Sequence, residues 1–392
     1  MDKGYHIAVL TPFLTSPLRR FIPALTEQDC AAAPGMGGYG VVNLATYRIS
    51  QGLRTSIITL DTHLHGAPIV RHGDVGSLYC YPRRKRHLLR DMFKNERKFI
   101  DQALDEIQPD LIHVHWTYEY ALAALMKRRE VPVLVTVRDH SFDVVRYSFS
   151  NYWPNYLITQ WVLSKGKNFS VVSPHVYRYV AKKTSGHVWM VENPIAEEVM
   201  SQKKNSEKQG SFVISTACIW NSLKNPKSAM TAFSLFRKDF PNAALHLMGP
   251  GMESGGKAER WAERMNVHEG VSFLGNLSHT ALINEMKDSD VYLHTSKTEA
   301  CSIAVMEAMS LGLPVIGGKN SGGVPWQLDY GRSGILVDIE SPEEICSAMH
   351  DLSMNESLRG TMSGRSRKRA ESLYNVHDIH LQYESIYRTL LA

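Results

Sequence analysis

From Ser296 to Gly323 the chain reads S-K-T-E-A-C-S-I-A-V-M-E-A-M-S-L-G-L-P-V-I-G-G-K-N-S-G-G. The apolar run just before it, Val291 to Leu293 ending at Thr295, has the character of a buried strand. Ile303 to Leu311 carries apolar residues at helical spacing, and Pro314 to Ile316 opens another strand. The unit is strand, loop, helix, strand. Glu299 falls in the loop at the strand's carboxyl end, where open parallel sheets bind ligands, and Glu307 lies about a turn inside the helix. Two acids therefore flank one helix N-terminus. Free amides of Cys301, Ser302 and Ile303, with the positive end of the helix dipole, suit a diphosphate. Carboxylates accept hydrogen bonds from hydroxyls, so Glu299 and Glu307 are expected to face a sugar ring and a ribose. Taken alone, the pair also admits a plainer reading as two solvated cap glutamates.

Working outward, the same alternation recurs along the chain. In the second half, Phe212 to Ala217, Ala244 to Met248, Val271 to Leu274 and Val291 to Thr295 read as strands with helical segments between them, which implies a parallel sheet. In the first half the strands are His6 to Thr11, Thr55 to Leu60, Ser77 to Tyr81, Asp110 to Trp116, Val131 to Val137, Phe169 to Ser173 and Val188 to Val191. A Pro-rich stretch from Pro12 to Met36 is expected to be an irregular loop, and N-Y-W-P-N-Y-L is expected to turn helical after Pro154. The polar run from Glu197 to Gly210 is the expected linker. The fold class is α/β, with a first domain over residues 1–193, completed by a C-terminal helix at 376–392, and a second over 194–375.

At 392 residues the chain is long enough for two such cores, and 43% hydrophobic with 21% charged residues excludes a disordered chain. No apolar run approaches the ~18 residues of a spanning helix, and the opening M-D-K-G-Y-H-I-A-V-L reads as a first strand rather than a signal peptide, so a cytoplasmic location is expected. Five scattered cysteines with no C-x-x-C pair read as reduced thiols. The formal charge of +5 permits an anionic partner. Much of the positive charge sits in Arg83 to Lys98, R-R-K-R-H-L-L-R-D-M-F-K-N-E-R-K, with Leu88, Leu89, Met92, Phe93 and Phe99 near helical spacing. An amphipathic helix on an anionic membrane surface is one reading, and a solvated helix whose apolar stripe packs on its own domain is the other. No aromatic platform accompanies the charge, so nucleic acid is not expected.

Glu299, seven residues, Glu307, then Ala-Met-x-x-Gly-x-Pro-Val-Ile and a Gly-Gly pair resembles the donor-binding signature of the retaining glycosyltransferase family 4. The resemblance implies a GT-B fold, two Rossmann-like domains with parallel sheets facing across a cleft. It also implies transfer of a hexosyl unit from a UDP- or GDP-linked sugar to a hydroxyl of a glycan or lipid-linked acceptor, as in polysaccharide or lipopolysaccharide biosynthesis. Anomeric configuration would be retained, with the nucleotide sugar as co-substrate and no separate cofactor or metal. Membrane-lipid acceptors are common in the family, which favours peripheral attachment at the inner face through 83–98.

By the same resemblance, Glu299 touches the hexose and Glu307 the ribose. Gly37 and Gly38 form the first glycine-rich loop, between acceptor and donor phosphate, and Gly249 and Gly275 follow strands in a region that resembles the loop whose backbone recognises the nucleotide base. Lys224 stands where the family carries its pyrophosphate lysine, but the arginine five residues earlier is Ile219, leaving Lys319, Asn221 or backbone amides to compensate. The family's His-Asp pair after the strand Val131–Val137 is here Arg138, Asp139, His140. Arg138 is left with either an anionic acceptor or a phosphate, and Asp139 and His140 with the polar catalytic contact. His115, two residues from His113 on one strand face, is assigned with Arg138 to the acceptor side. A sugar-nucleotide epimerase, or a donor-binding protein without turnover, stands as the alternative function.

Overall fold

The computed structural model describes residues 4–86, 91–126, 130–205 and 211–392. The chain forms two compact units, Met1–Pro194 with Val376–Ala392, and Ile195–Asn375. In the first, β1 (Ile7–Leu10), β2 (Thr55–Asp61), β3 (Ile69–His72), β4 (Gly76–Pro82), β5 (Leu111–His115), β6 (Val133–Val137), β7 (Asn168–Val171) and β8 (His187–Met190) lie in the order β3-β4-β2-β1-β5-β6-β7-β8. Short β-branched runs buried on both faces, such as I-A-V-L and T-S-I-I-T-L-D, are what a sheet covered by helices on both sides requires. Ile7 pairs in parallel register with Thr55 on one side and Leu111 on the other, which puts the strand-order reversal between β1 and β5.

One edge departs from the expected all-parallel sheet: β3 pairs antiparallel with β4, His72 opposite Ser77. A connection of three residues is too short for a crossover, so only a hairpin is open to it. The stretch from Pro12 to Met36 is also more ordered than the expected irregular loop. It contains a 3-10 turn at Ser16–Arg20 and a helix at Glu27–Ala32 closed by a capping box between Thr26 and Asp29, while Phe13, Leu18, Ile22 and Leu25 enter the core. A helix runs Ser141–Lys165 with Pro154 inside it, so the expected start after that proline is corrected.

In the basic segment, the helix begins only at Lys94 and extends to Ile107. Arg83 pairs with Glu119, and Arg84 with Asp91 and Glu96. Phe93 is buried and Phe99 stacks on Tyr81, so these two pack on their own domain, whereas Met92 is exposed. Leu88 and Leu89 lie outside the described residues. Among the described residues no helix is long and apolar enough to cross a membrane.

The helix Val376–Leu391 belongs to the first unit, where Ile379, Tyr383, Ile386 and Tyr387 join Ile7, Val9 and Val41 in one core. Its Glu384 forms a buried ion pair with Arg48 and accepts a hydrogen bond from the Tyr5 hydroxyl.

The second unit holds β9 (Val213–Ala217), β10 (Ala244–Met248), β11 (Val271–Gly275), β12 (Val291–His294), β13 (Val315–Gly318) and β14 (Ile335–Val337), all parallel, in the order β11-β10-β9-β12-β13-β14. This is the doubly wound order whose ligand crevice opens where it reverses, between β9 and β12. The expected linker is partly corrected here: Glu197–Met200 is a helix whose Val199 packs in this unit's core, while 206–210 lie outside the described residues.

Candidate active site

The loop leaving β12 carries Glu299, and the chain builds a seat for it. Gly323 donates its N–H to the Glu299 carbonyl at 2.7 Å. Gly322 has φ +61°, and a Cβ there would lie 2.4 Å from that carbonyl oxygen, so only glycine fits. Past Glu299, Ser302 caps the helix Ile303–Ser310 through its hydroxyl, and Val305, Met306 and Met309 bury the helix's apolar face. Gly312 at φ +78° closes it and lets Pro314 lead into β13.

The Glu299 carboxylate lies 2.5 Å from Lys224 Nζ and 3.3 Å from His294 Nε2. Lys224 comes from the loop after β9, fixed by its own amide on Asn221 Oδ1 at 2.8 Å and by the Thr295 hydroxyl on its carbonyl at 3.0 Å. Adjacent strands β9 and β12 thus deliver both partners. Burial alone would raise the Glu299 carboxyl, but Lys224 and His294 outweigh it and hold the group well below the usual carboxylate range. Glu307 is buried in the helix, its Oε1 2.7 Å from His279 Nε2.

One expectation is corrected. The amide of Ser302 is not available to a phosphate, because it donates to Gln327 Oε1 at 2.9 Å while Gln327 Nε2 donates to the Ser302 carbonyl at 3.0 Å. Gln327 is fully buried and needs two partners, and the loop backbone supplies them. Ile303 is the first helical residue, and the Cys301 thiol faces Met306 Sδ at 3.5 Å. Gly249 and Gly275 come together: Gly249 donates to the Gly275 carbonyl at 2.7 Å, and Gly275 donates to Met252 at 3.0 Å. The Gly275 N–H is therefore engaged within the protein. Gly249, at φ +128°, lets β10's end pass the Cys218 carbonyl, which a Cβ would meet at 2.1 Å. Ile219 is half-exposed. Lys319, one of the candidates to compensate for the missing arginine, pairs with Glu344 at 3.2 Å and lies 3.9 Å from Asp338.

In the first unit, Thr11, Pro12, Gly37, Gly38, Val41, His115, Trp116, Arg138 and Asp139 line a pocket at the carboxyl ends of β1, β5 and β6. Gly37 is required there, since a Cβ would lie 2.5 Å from the Pro12 carbonyl oxygen. Gly38 is the N-cap of the helix Tyr39–Ser50 and offers no side-chain cap. Arg138 donates to His115 Nδ1 at 2.9 Å and to Asn193 Oδ1. His115 is buried, and burial, with His113 and Arg138 beside it, keeps the imidazole neutral. His113 bonds Tyr387 and Thr136, each at 2.7 Å, so this histidine serves the core. Asp139 is exposed.

His140 is turned away into a helix cap, its Nδ1 accepting the Asp143 amide at 3.2 Å, which leaves the proton on Nε2. Asp143 Oδ2 also lies 2.7 Å from His175 Nε2, and the ligand atoms of His140, Asp143 and His175 fall within 4.8 Å of one another. That spacing could hold one ion, but the present bonds are those of a cap. His294, His279, Gln327, Asn193 and Trp116 were not singled out by sequence, and only the position of Trp116 at the end of a strand pointed to it.

Two Rossmann-like α/β units with polar side chains gathered at the carboxyl ends of their parallel strands define the GT-B class. Sucrose-phosphate synthase of Thermosynechococcus elongatus superposes with a TM-score of 0.82 at 16% identity over 99% of each chain. HepE of Anabaena, solved in complex with UDP and glucose, superposes with a TM-score of 0.71 at 16% identity, covering 98% of this chain and 100% of that one. The profile of glycosyl transferases group 1 matches residues 197–369, and that of the glycosyl transferase 4-like domain matches residues 37–188. The chain is 23% identical over 293 residues to N-acetyl-alpha-D-glucosaminyl L-malate synthase of Bacillus anthracis, covering 72% of this chain and 75% of that one. The chain belongs to the family 4-like glycosyltransferases.

Proposed function

We propose that the protein moves a hexosyl group from a nucleotide diphosphate sugar, UDP- or GDP-linked, to a hydroxyl of a glycan or lipid-linked acceptor, with retention of anomeric configuration and without a metal. The observation that carries this reading is the Glu299 carboxylate, kept ionised by Lys224 and His294 in a backbone seat at the strand-order reversal. An ionised carboxylate there accepts hydrogen bonds from hexose hydroxyls and orients the sugar. Lys224 exchanges Glu299 for the donor's pyrophosphate, supplying the charge that a divalent ion would otherwise bring. Glu307 accepts from the ribose.

In the reaction the bond from the anomeric carbon to the phosphate oxygen breaks, and the bond to the acceptor oxygen forms on the same face. The acceptor's proton passes to the departing phosphate, so no protein nucleophile is needed. Proton NMR of the product should show the donor's anomeric configuration, at a rate unchanged by chelator. An inverted product, or activity lost in chelator and restored by magnesium, would overturn this mechanism. Exposed Lys85, Arg86, Lys94 and Lys98 provide for attachment to an anionic bilayer, at ~1 kcal/mol per basic residue near the surface. Equal sedimentation with neutral and anionic vesicles would reject that part.

A further inference from the structure

The first-unit pocket has a volume of about 240 Å³. Its polar lining is dominated by groups that can only donate. Arg138 has no acceptor atom. Because Arg138 donates to His115 Nδ1, the neutral imidazole must carry its proton on Nε2, and that buried atom has no hydrogen-bond partner among the described residues. The Trp116 indole N–H is likewise buried and without a partner. The helix Tyr39–Ser50 begins at Gly38 with no side-chain cap, so the positive end of its dipole faces this region. Thr11 spends its hydroxyl proton on the Pro12 carbonyl at 3.0 Å. The only carboxylate among the lining residues, Asp139, is exposed.

Trp116 adds an independent sign. Its φ is +108°, a conformation that costs a bulky residue ~1–3 kcal/mol and that survives where the surroundings enforce it, most often at ligand sites. It holds the indole at the mouth of β5 beside Arg138.

We infer that this pocket recognises an anionic group, carboxylate or phosphate, borne by a substrate in addition to the donor's diphosphate. The inference rests on the transferase reading above and names what its substrate must carry. Two sources share this chemistry: an acidic acceptor, or a hexose with a carboxylate of its own.

The test uses the full chain, with thermal shift and calorimetry against UDP, UDP-glucose, UDP-glucuronate, L-malate and inorganic phosphate. If the anion belongs to the acceptor, malate or phosphate binds wild type in the presence of UDP, and Arg138→Met weakens that binding at least tenfold while Arg138→Lys retains part of it. If it belongs to the hexose, wild type prefers UDP-glucuronate to UDP-glucose at least tenfold and Arg138→Met abolishes the preference. In either case UDP affinity is unchanged. Should Arg138→Met not fold, Trp116→Phe, which keeps an aromatic ring but loses the indole N–H, is expected to weaken the same binding severalfold. Wild type showing neither small-anion binding nor a uronate preference, or Arg138→Met weakening UDP itself, overturns the inference. Failure of every UDP and GDP ligand to bind would instead refute the transferase reading.

Discussion

Replacing Lys224 with methionine removes the main partner of a carboxylate whose side chain is only 13% exposed. Breaking a buried pair from one side costs about 3–5 kcal/mol, and because Lys224 is itself 26% exposed, the lower end, ~3 kcal/mol, applies. For a unit the size of Ile195–Asn375 each kcal/mol moves the melting temperature by roughly 2–4 °C, so a fall of about 6–12 °C in that unit's transition is expected at neutral pH. The pH dependence gives a second reading. In wild type the folded-state carboxyl of Glu299 is depressed, so its stabilisation is present above the unfolded value of ~4.3 and is lost only in stronger acid, as pH falls through the folded value. Without Lys224 the largest opposing influence is gone, and burial, the largest cause of all, pushes the folded carboxyl upward. The variant is then penalised most at high pH, and protonation of Glu299 relieves it as pH falls. The gap in melting temperature between wild type and variant should therefore narrow from pH 8 to pH 5. Adding Glu299→Gln to the variant should recover much of the loss. A gap under about 2 °C at pH 8, or one that does not change with pH, would refute the pairing.

Glu307→Ala should weaken UDP binding by calorimetry about tenfold, ~1.4 kcal/mol, and unchanged affinity would remove Glu307 from the ribose site. Gln327→Leu strands the buried Ser302 amide and carbonyl and should cost about 2 kcal/mol in urea unfolding, with an unshifted midpoint counting against the clamp. Gly322→Ala should destabilise by ~1–3 kcal/mol through its positive φ and the clash with the Glu299 carbonyl. Gly38→Ala, where a Cβ meets nothing within 4 Å, should stay within ~0.5 kcal/mol; equal effects would show that the seat is not strained.

The periodic parts of the chain were legible because a strand buried on both faces has to be a short apolar run, as V-L-V-T-V and A-L-H-L-M are. The loop bearing Glu299 was legible because its Gly-Gly pair and its capping serine leave marks in sequence. The Lys224–Glu299 contact was not, since the register of β9 against β12, Ile214 opposite Val291, joins residues far apart in sequence. The Gln327 clamp on Ser302 was hidden for the same reason: a buried amide side chain announces no partner. Strands β3 and β14 are only four and three residues long and partly exposed, too short for any period to show. The pairing of Lys319 with Glu344 was likewise hidden, since the two residues meet only through the fold.

The C-terminal helix gives the molecule a birth order. The second unit is one uninterrupted stretch of chain, so a ribosome can finish it while the first still lacks Val376 to Ala392. Until then Arg48 has no Glu384 to neutralise it, and the apolar surface later covered by Ile379, Tyr383 and Ile386 stands open to water. An uncompensated interior charge costs several kcal/mol, so the half made first is the half completed last. Chains truncated after Asn375 should accordingly show a protease-resistant second unit beside a first unit that is still sensitive.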